Sequence, residues 1–372
     1  MKSAWLEVED GRTAKSVNLF LSRLLQEGLL QGLLLNVELS GQGNVAPALV
    51  TDPEICRQAC PLAPVMPVSL AMVVSRLTRL RPSEEKLGVV LRSCELRALV
   101  ELVKLKQASL QNLVLIGFDC YGTFSPEGYR EFCKTSPEPA EVFLRRAAAG
   151  ESLDLREACQ ICQHFSPSGV DLIFGLIGVD LTRHVLLQAE TPEGERILEA
   201  LRLPEAPSEG REEVLSLVRV KKDENRAAFL ERFQEECSGV DGLTRLFSAC
   251  NNCHNCRVAC PMCYCRECFL ESSTFEWGAS EYLAQAKRKG ALRLPADTLL
   301  FHLTRLSHIG LFCVGCGLCQ DACPNEIPLF SVFHSVGLKM QELFGYLPGR
   351  SIEEEPPLTF FKEDELSWVA QE

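Results

Sequence analysis

Two stretches of the chain decide the fold of its C-terminal part: CNNCHNCRVACP at residues 250–261 and CVGCGLCQDACP at residues 313–324. Each follows the pattern C-x2-C-x2-C-x3-C-P. Three closely spaced cysteines on a tight loop can occupy three corners of a cubane [4Fe–4S] cluster, while the fourth thiolate comes from elsewhere. The proline ends each loop and restricts the residue before it. The repeated spacing therefore predicts two clusters.

The fourth cysteine of such a run serves the other cluster when a protein holds two. The predicted ligand sets are Cys250, Cys253, Cys256 and Cys323 for one cluster, and Cys313, Cys316, Cys319 and Cys260 for the other. A structural zinc site is the alternative, but zinc prefers two separated cysteine pairs. The 52 residues between Cys260 and Cys313 have helical patterns. We therefore expect a mainly α-helical dicluster domain, which resembles the ferredoxin domains of heterodisulfide reductase and fumarate reductase iron–sulfur subunits.

Further cysteines follow the first run directly, in the segment MCYCREC. They could hold a further cluster, or they could be packing thiols around the first one. The set for that cluster is Cys263, Cys265 and Cys268, with Cys237 or an N-terminal cysteine as the fourth ligand. His254, inside the first loop, is either a hydrogen-bond donor to a cluster sulfur or a solvated loop residue.

Composition bounds the class of protein. The chain has 372 residues, 19 cysteines and a formal net charge of −12. It is too long to need disulfide staples, and the negative charge argues against nucleic acid as a partner. The N-terminus has no apolar signal core, and no apolar stretch is long enough to span a bilayer. We therefore expect a cytoplasmic protein in a reducing compartment, with its cysteines as thiols, metal ligands or catalytic groups.

The first half alternates helical and strand periodicities. Helices are expected at 13–27, 68–80 and 94–108, and strands at 33–39, 87–91, 112–119, 171–180 and 184–190. This β-α-β-α order predicts an α/β domain with a partly parallel sheet. Residues 203–213 have a linker composition, and the pattern beyond them is helical. We predict three parts: residues 1–205 as the α/β domain, 206–345 as the helical domain, and 346–372 as a tail.

The N-terminal part carries its own group of cysteines. Cys94 begins a helix, Cys120 follows a strand, and Cys159 and Cys162 form a C-x-x-C pair. Such positions can converge at one edge of an α/β sheet, where ligands usually bind. The alternative is scattered core cysteines, because thiols bury readily. Cys56 and Cys60 could also be ligands, but on a short helix such cysteines are more often in the core.

Several N-terminal motifs resemble the beta-subunit family of deazaflavin-coenzyme-reducing hydrogenases and formate dehydrogenases. They are PLAPVMPVSLA at 61–71, the cysteine followed by ELRALVELVKL at 94–105, IGFDCYGTF at 116–124, and the C-x-x-C pair followed by D-L-x-x-G-x-x-G at 159–178. The resemblance implies FAD and an additional [4Fe–4S] cluster held by Cys94, Cys120, Cys159 and Cys162. Family members more often have Pro-Cys-Gln where this chain has Ser93-Cys94-Glu95.

The chain has no G-x-G-x-x-G fingerprint after its first strand, so the flavin rests on the resemblance. Gly175 and Gly178 are the candidate positions at which backbone approaches FAD; glycines in strands also mark simple bulges. The sequence shows neither a molybdenum or tungsten pterin domain nor a nickel-site motif, so no catalytic residues are predicted and primary oxidation of formate or hydrogen is assigned to a partner subunit.

Three functions remain at this point. The first is an iron–sulfur flavoprotein beta subunit of a formate dehydrogenase or hydrogenase complex, which relays electrons between FAD, or a soluble carrier, and the clusters. The carrier could be a deazaflavin, NAD(P) or ferredoxin. The second is a non-flavin electron-wire subunit that links a dehydrogenase to a heterodisulfide-reductase-like complex. The third is a zinc-stabilised interaction module.

Overall fold

The computed structural model describes residues 2–39, 43–207, 210–237, 239–273, 278–290 and 297–360. Within these ranges the N-terminal part contains one seven-stranded sheet, ordered β1-β7-β6-β5-β4-β2-β3. Its strands are β1 (Lys2–Glu7), β2 (Gly32–Glu38), β3 (Val45–Val50), β4 (Leu87–Arg92), β5 (Leu113–Phe118), β6 (Leu172–Gly175) and β7 (His184–Ala189).

The central strands β6, β5, β4 and β2 are parallel, and the remaining pairings are antiparallel. The central strands are almost entirely buried, as expected where helices cover both faces of a parallel sheet. The prediction of an α/β domain followed by a helical region with many cysteines is therefore confirmed.

Helices occupy most of the remaining described chain. Those of the sheet domain are α1 (Thr13–Gln26), α2 (Pro53–Arg57), α3 (Leu70–Thr78), α4 (Ser93–Lys104), α5 (Pro126–Thr135), α6 (Pro139–Ala148), α7 (Glu157–Gln160) and α8 (Pro192–Leu201). Those that follow are α9 (Arg211–Glu236), α10 (Gly239–Phe247), α11 (Asn255–Ala259), α12 (Ala279–Lys289), α13 (Asp297–Ile309), α14 (Leu318–Asp321) and α15 (Leu329–Phe344).

Side-chain alternation along the strands separates two cores. Leu33 and Leu35 of β2 enter the core that packs on α1, whereas Leu34 enters the core on the opposite face. That second core contains residues of α3 and α4 and continues without interruption into the helical part, to Phe312 and Phe333. Burial of such a side chain contributes about 1.5–3 kcal/mol. The two halves of the chain are thus joined through a shared core.

The segment predicted as a linker is docked on the sheet. Trp5 donates its backbone N–H to Pro204 O at 2.8 Å, and Ala206 donates to Ser3 O at 3.0 Å. From Arg211 the long helix α9 passes the C-x-x-C segment and reaches α15, where Phe229 packs on Phe330. In the tail, Tyr346 donates its hydroxyl to buried Glu101 of α4. Residues 361–372 lie outside the described ranges.

Candidate iron–sulfur centre

The four N-terminal cysteines converge at the carboxyl edge of the parallel strands. Strand β4 runs directly into α4, which places Cys94 in the first turn of that helix. Cys120 lies two residues beyond β5 and donates its backbone N–H to Phe165 O, three residues after Cys162, at 2.7 Å. Burial raises the pKa of Cys94, and the nearby Cys120 and Cys162 raise it further. The cysteines of the predicted N-terminal set are therefore neighbours.

Cys159 differs electrostatically from the other three. Burial acts to raise its pKa, but the Arg156 guanidinium and hydrogen bonds from Thr123 outweigh that effect and lower the pKa. The Thr123 backbone N–H donates to Cys159 Sγ at 3.3 Å. Iron binds the thiolate form of cysteine, so Cys159 is the member of this group best prepared as a ligand.

The second cysteine run lies directly against this N-terminal group. Cys316 is near enough to Cys94 to raise its pKa. Arg156 Nη1 contacts Asp321 Oδ2 at 2.5 Å in a largely buried ion pair. A Cβ added to Gly317 would lie 2.7 Å from the Ala158 Cβ. Arg97 of α4 donates from Nη1 to Val314 O at 3.2 Å. The N-terminal group thus adjoins the 313–319 loop.

The two C-x2-C-x2-C-x3-C-P runs also pack on each other, through α11 and α14. The sulfur of Cys323 is close enough to raise the pKa of Cys250, after burial as the main cause. This neighbourhood agrees with the predicted donation of Cys323 to the first set. Cys256 of the first run likewise raises the pKa of Cys319 of the second run, after burial as the main cause.

Helix α13 supplies polar groups to the first run. His302 Nε2 lies 3.3 Å from Cys250 Sγ, and Arg305 donates from Nη1 to Cys256 Sγ at 3.0 Å. Both side chains are buried. His254, which the sequence suggested for such a role, stacks on Phe301 with ring centroids 4.1 Å apart, and its hydrogen bond to a cluster sulfur stays a prediction. Sequence reasoning missed His302 and Arg305, because both lie in an ordinary amphipathic helix.

The cysteines after the first run are divided between core and surface. Cys263 hydrogen-bonds Cys260, and that contact together with burial raises the pKa of Cys263. Cys268 packs against the second core, whereas Cys265 is exposed. Cys237 ends α9 and packs beside Gly242. The further cluster on these residues, and the donation of Cys260 to the second set, stay predictions.

Among the described residues, no three His, Cys, Asp or Glu side chains are arranged to hold a single metal ion. A cubane separates its four thiolates onto four corners, so the cluster sets rest on the neighbourhoods above. Cys56 is buried in the core that packs on α1, and Cys60 packs against the same core.

Gly175 and Gly178 are covered by the start of α9. A Cβ at Gly175 would lie 3.1 Å from Arg211 Nε, and one at Gly178 would lie 3.3 Å from Val214 Cβ. Arg211 is held there by its ion pair with buried Asp119, at 2.6 Å. The Cβ side of both glycines is therefore filled by α9, and the FAD contact at this pair stays a prediction.

A basic cavity of about 390 Å³ lies between the N-terminal group and the second run. Cys162 and Cys313 each contribute to its wall. Its other polar lining includes Arg97, His164, Arg226 and His334. Arg226 Nε and His334 Nδ1 are buried and have no hydrogen-bond partner in the described part of the chain. The cavity is thus suited to an anionic or polar group beside both cysteine sets.

Together, the sheet domain, the helical domain and their many cysteines indicate an iron–sulfur protein. The chain is 29% identical over 301 residues to the F420-dependent formate dehydrogenase subunit beta of Methanocaldococcus jannaschii, covering 72% of this chain and 74% of that one. It is 26% identical over 386 aligned positions to subunit beta of F420-dependent formate dehydrogenase 1 of Methanococcus maripaludis, covering 94% of each. The resemblance predicted from the N-terminal motifs is confirmed: these homologues are formate dehydrogenase beta subunits.

No family profile matches the chain. Among solved structures, a chain of the F420-reducing [NiFe] hydrogenase complex of Methanosarcina barkeri aligns with a TM-score of 0.44 at 14% identity, covering 65% of this chain and 94% of that one. A likeness at that level does not establish a shared fold. In the described residues, no helix is both long and apolar enough to cross a membrane.

Proposed function

We propose that the chain is the iron–sulfur electron-transfer beta subunit of a formate dehydrogenase or hydrogenase complex, in which a partner subunit oxidises the primary substrate. The adjacency of the N-terminal cysteines to the second run carries the proposal, because Cys162 and Cys313 line the same cavity and Cys316 is near enough to Cys94 to raise its pKa. Similarity to a formate dehydrogenase beta subunit over 94% of the chain supports it.

The proposed ligand groups are the N-terminal four and the two sets of the helical domain. When bound, [4Fe–4S] clusters supply one-electron carriers whose potentials depend on charge, hydrogen bonds and exposure. The chain's own residues keep the three groups together: Arg156 with Asp321 and Arg97 with Val314 fix the interface at the second run. The shared core packs against cysteines of both helical-domain sets, among them Cys256, Cys316 and Cys323.

The flavin distinguishes two forms of this function. In the flavoprotein form, FAD exchanges electrons with a soluble carrier. The relatives are named F420-dependent, which favours a deazaflavin over NAD(P) or ferredoxin. Because α9 covers the Cβ side of Gly175 and Gly178, the cavity is a second candidate position for FAD, and the residues best placed there to hold its polar groups are Arg97, His164, Arg226 and His334.

The second form is a non-flavin electron wire that connects a dehydrogenase to a heterodisulfide-reductase-like complex. One observation favours it: Arg211 and Val214 of α9 cover the glycine pair. In both forms the partners are other subunits of a cytoplasmic complex.

Iron, sulfide and flavin contents of the full chain, purified without oxygen, test the proposal. About twelve irons are expected from three [4Fe–4S] clusters, and about four more if the segment 263–268 holds another. One FAD per chain selects the flavoprotein form, and full iron without FAD selects the wire. Colourless protein that contains zinc would refute both.

Single variants locate the N-terminal cluster. Cys94→Ser and Cys120→Ser are each expected to lower the iron content by about four, because a cubane that lacks a thiolate is poorly held. Cys133→Ser is the control, since Cys133 belongs to none of the predicted sets. Equal iron in Cys94→Ser, Cys120→Ser and the control would exclude the N-terminal cluster from the proposal.

A further inference from the structure

Helix α13 presents two hydrogen-bonding side chains, one turn apart, to the first cysteine run. Residues three apart on a helix share a face, and here that face carries His302 and Arg305. His302 is 2% exposed and Arg305 is 3% exposed. Polar groups buried to this degree need partners, and both find one at a cysteine of the first predicted cluster set, while Arg305 also hydrogen-bonds Cys263.

The imidazole of His302 is locked in place. Its ring stacks on Phe247 with centroids 4.1 Å apart and planes inclined by only 6°. Nε2 lies 3.3 Å from Cys250 Sγ, whereas Nδ1 has no partner among the described residues. A neutral imidazole carries one N–H group. The tautomer with that hydrogen on Nε2 is therefore favoured, because it donates a hydrogen bond to the Cys250 sulfur.

The guanidinium of Arg305 is held even more closely. Nη1 donates to Cys256 Sγ at 3.0 Å and Nη2 donates to Cys256 O at 3.1 Å, so one residue of the run receives both bonds. The cation also lies over the Phe333 ring, 4.6 Å from its centroid. A positive charge in such an apolar setting acts strongly on neighbouring charges.

We propose that His302 and Arg305 are positioning residues that raise the reduction potential of the cluster held by the first run. The inference rests on the proposed function, since it requires that cluster. One-electron reduction adds a negative charge to the cluster and its thiolates, with no bond made or broken in the protein. A hydrogen bond and a cation directed at two of the four sulfurs stabilise that added charge, and this favours the reduced form.

The test is a redox titration of the reconstituted full chain, followed by electron paramagnetic resonance. The signal altered in Cys253→Ser identifies the first-run cluster. His302→Leu and Arg305→Met are each expected to shift its potential to more negative values, with unchanged iron content. His308→Leu, the same substitution at an exposed position of α13, is expected to leave the potential unchanged.

Arg305→Lys is measured beside Arg305→Met, because it keeps a cation in the core. Its shift is expected in the same direction but smaller, and it stands in for Arg305→Met if that variant does not take up iron. Wild-type potentials in iron-replete His302→Leu and Arg305 variants would overturn this inference alone. Absence of iron from the unaltered chain would refute the proposed function and, with it, this inference.

Discussion

The two cysteine runs have the same spacing and the same backbone shape, but they lie in different surroundings. In both loops the residues at the third and fifth positions have positive φ: Asn252 and His254 in the first, Gly315 and Gly317 in the second. The second run uses glycine because its neighbours are close, with His334 beside Gly315 and Ala158 beside Gly317. In the first run, by contrast, Cys253 is exposed.

This difference shows that the spacing determines the loop conformation, whereas tertiary packing determines which residues fill it. Left-handed conformations are cheap for glycine and tolerable for asparagine and histidine. The second run is built into the interface with the sheet domain. The first has room for larger side chains and receives its polar contacts from α13 instead.

We expect the largest difference between the runs in the unfolding free energy that is lost when the ion pair beside each run is removed. Arg156→Met leaves Asp321 buried without its partner, beside the second run, and should cost about 3 kcal/mol of unfolding free energy. The matched variant at the first run is Arg257→Met, which removes a pair with half-exposed Glu271 and should cost about 1 kcal/mol or less. Denaturant unfolding of the metal-free chain measures both. Equal losses would show that the second run is not anchored more firmly.

Substitutions at the fifth position of each loop are expected to have the next largest effect on stability. Gly317→Ala forces a side chain into positive φ and against Ala158, and should destabilise by about 2 kcal/mol. His254→Ala keeps the backbone strain already present and loses mainly the stacking on Phe301, for about 0.5–1 kcal/mol. The same unfolding measurement compares them. A greater loss at His254 would reverse the order of the two loops.

The smallest expected difference between the runs concerns the rates at which their thiols are alkylated in the metal-free wild-type chain. Burial raises the pKa of Cys316 to about 12, and only the thiolate reacts rapidly. At pH 8 exposed Cys253 should therefore be modified well before Cys316, and the Cys316 rate should continue to rise with pH toward its pKa. Peptide mass spectrometry of samples quenched over time follows both sites. Parallel labelling at pH 8 would contradict the proposed difference in burial.

The sequence allowed the central architecture to be predicted but left out parts that depend on distant partners. Periodicity and element order are local signals, so the sequence predicted the apolar strands β2, β4 and β5 and the start of α4 at Cys94. The edge strands β1 and β3 were missed: β1 pairs with β7, which is far away in sequence, and β3 contains Pro47, which weakens a strand pattern although β3 follows its partner β2 directly.

The same limit applies to the site. The motifs predicted the cysteines, and Cys94 and Cys120 do meet at the carboxyl edge of adjacent strands. Arg156, three residues before the C-x-x-C pair, could have been proposed from its position. His302 and Arg305 could not, because about fifty residues separate them from the sulfurs they contact, and only the packing of α13 brings them there.

The core shared between Leu96 and Leu99 of α4 and Phe312 and Phe333 of the helical part has a practical consequence for dissecting the protein. Dividing the chain between residues 205 and 206 would not give two soluble fragments. Each fragment would expose a large apolar surface that the other fragment buries in the intact chain, and exposed apolar surfaces drive aggregation. Expression of the isolated ferredoxin-like half is therefore a poor route to its clusters, and co-expression of both fragments is the better one.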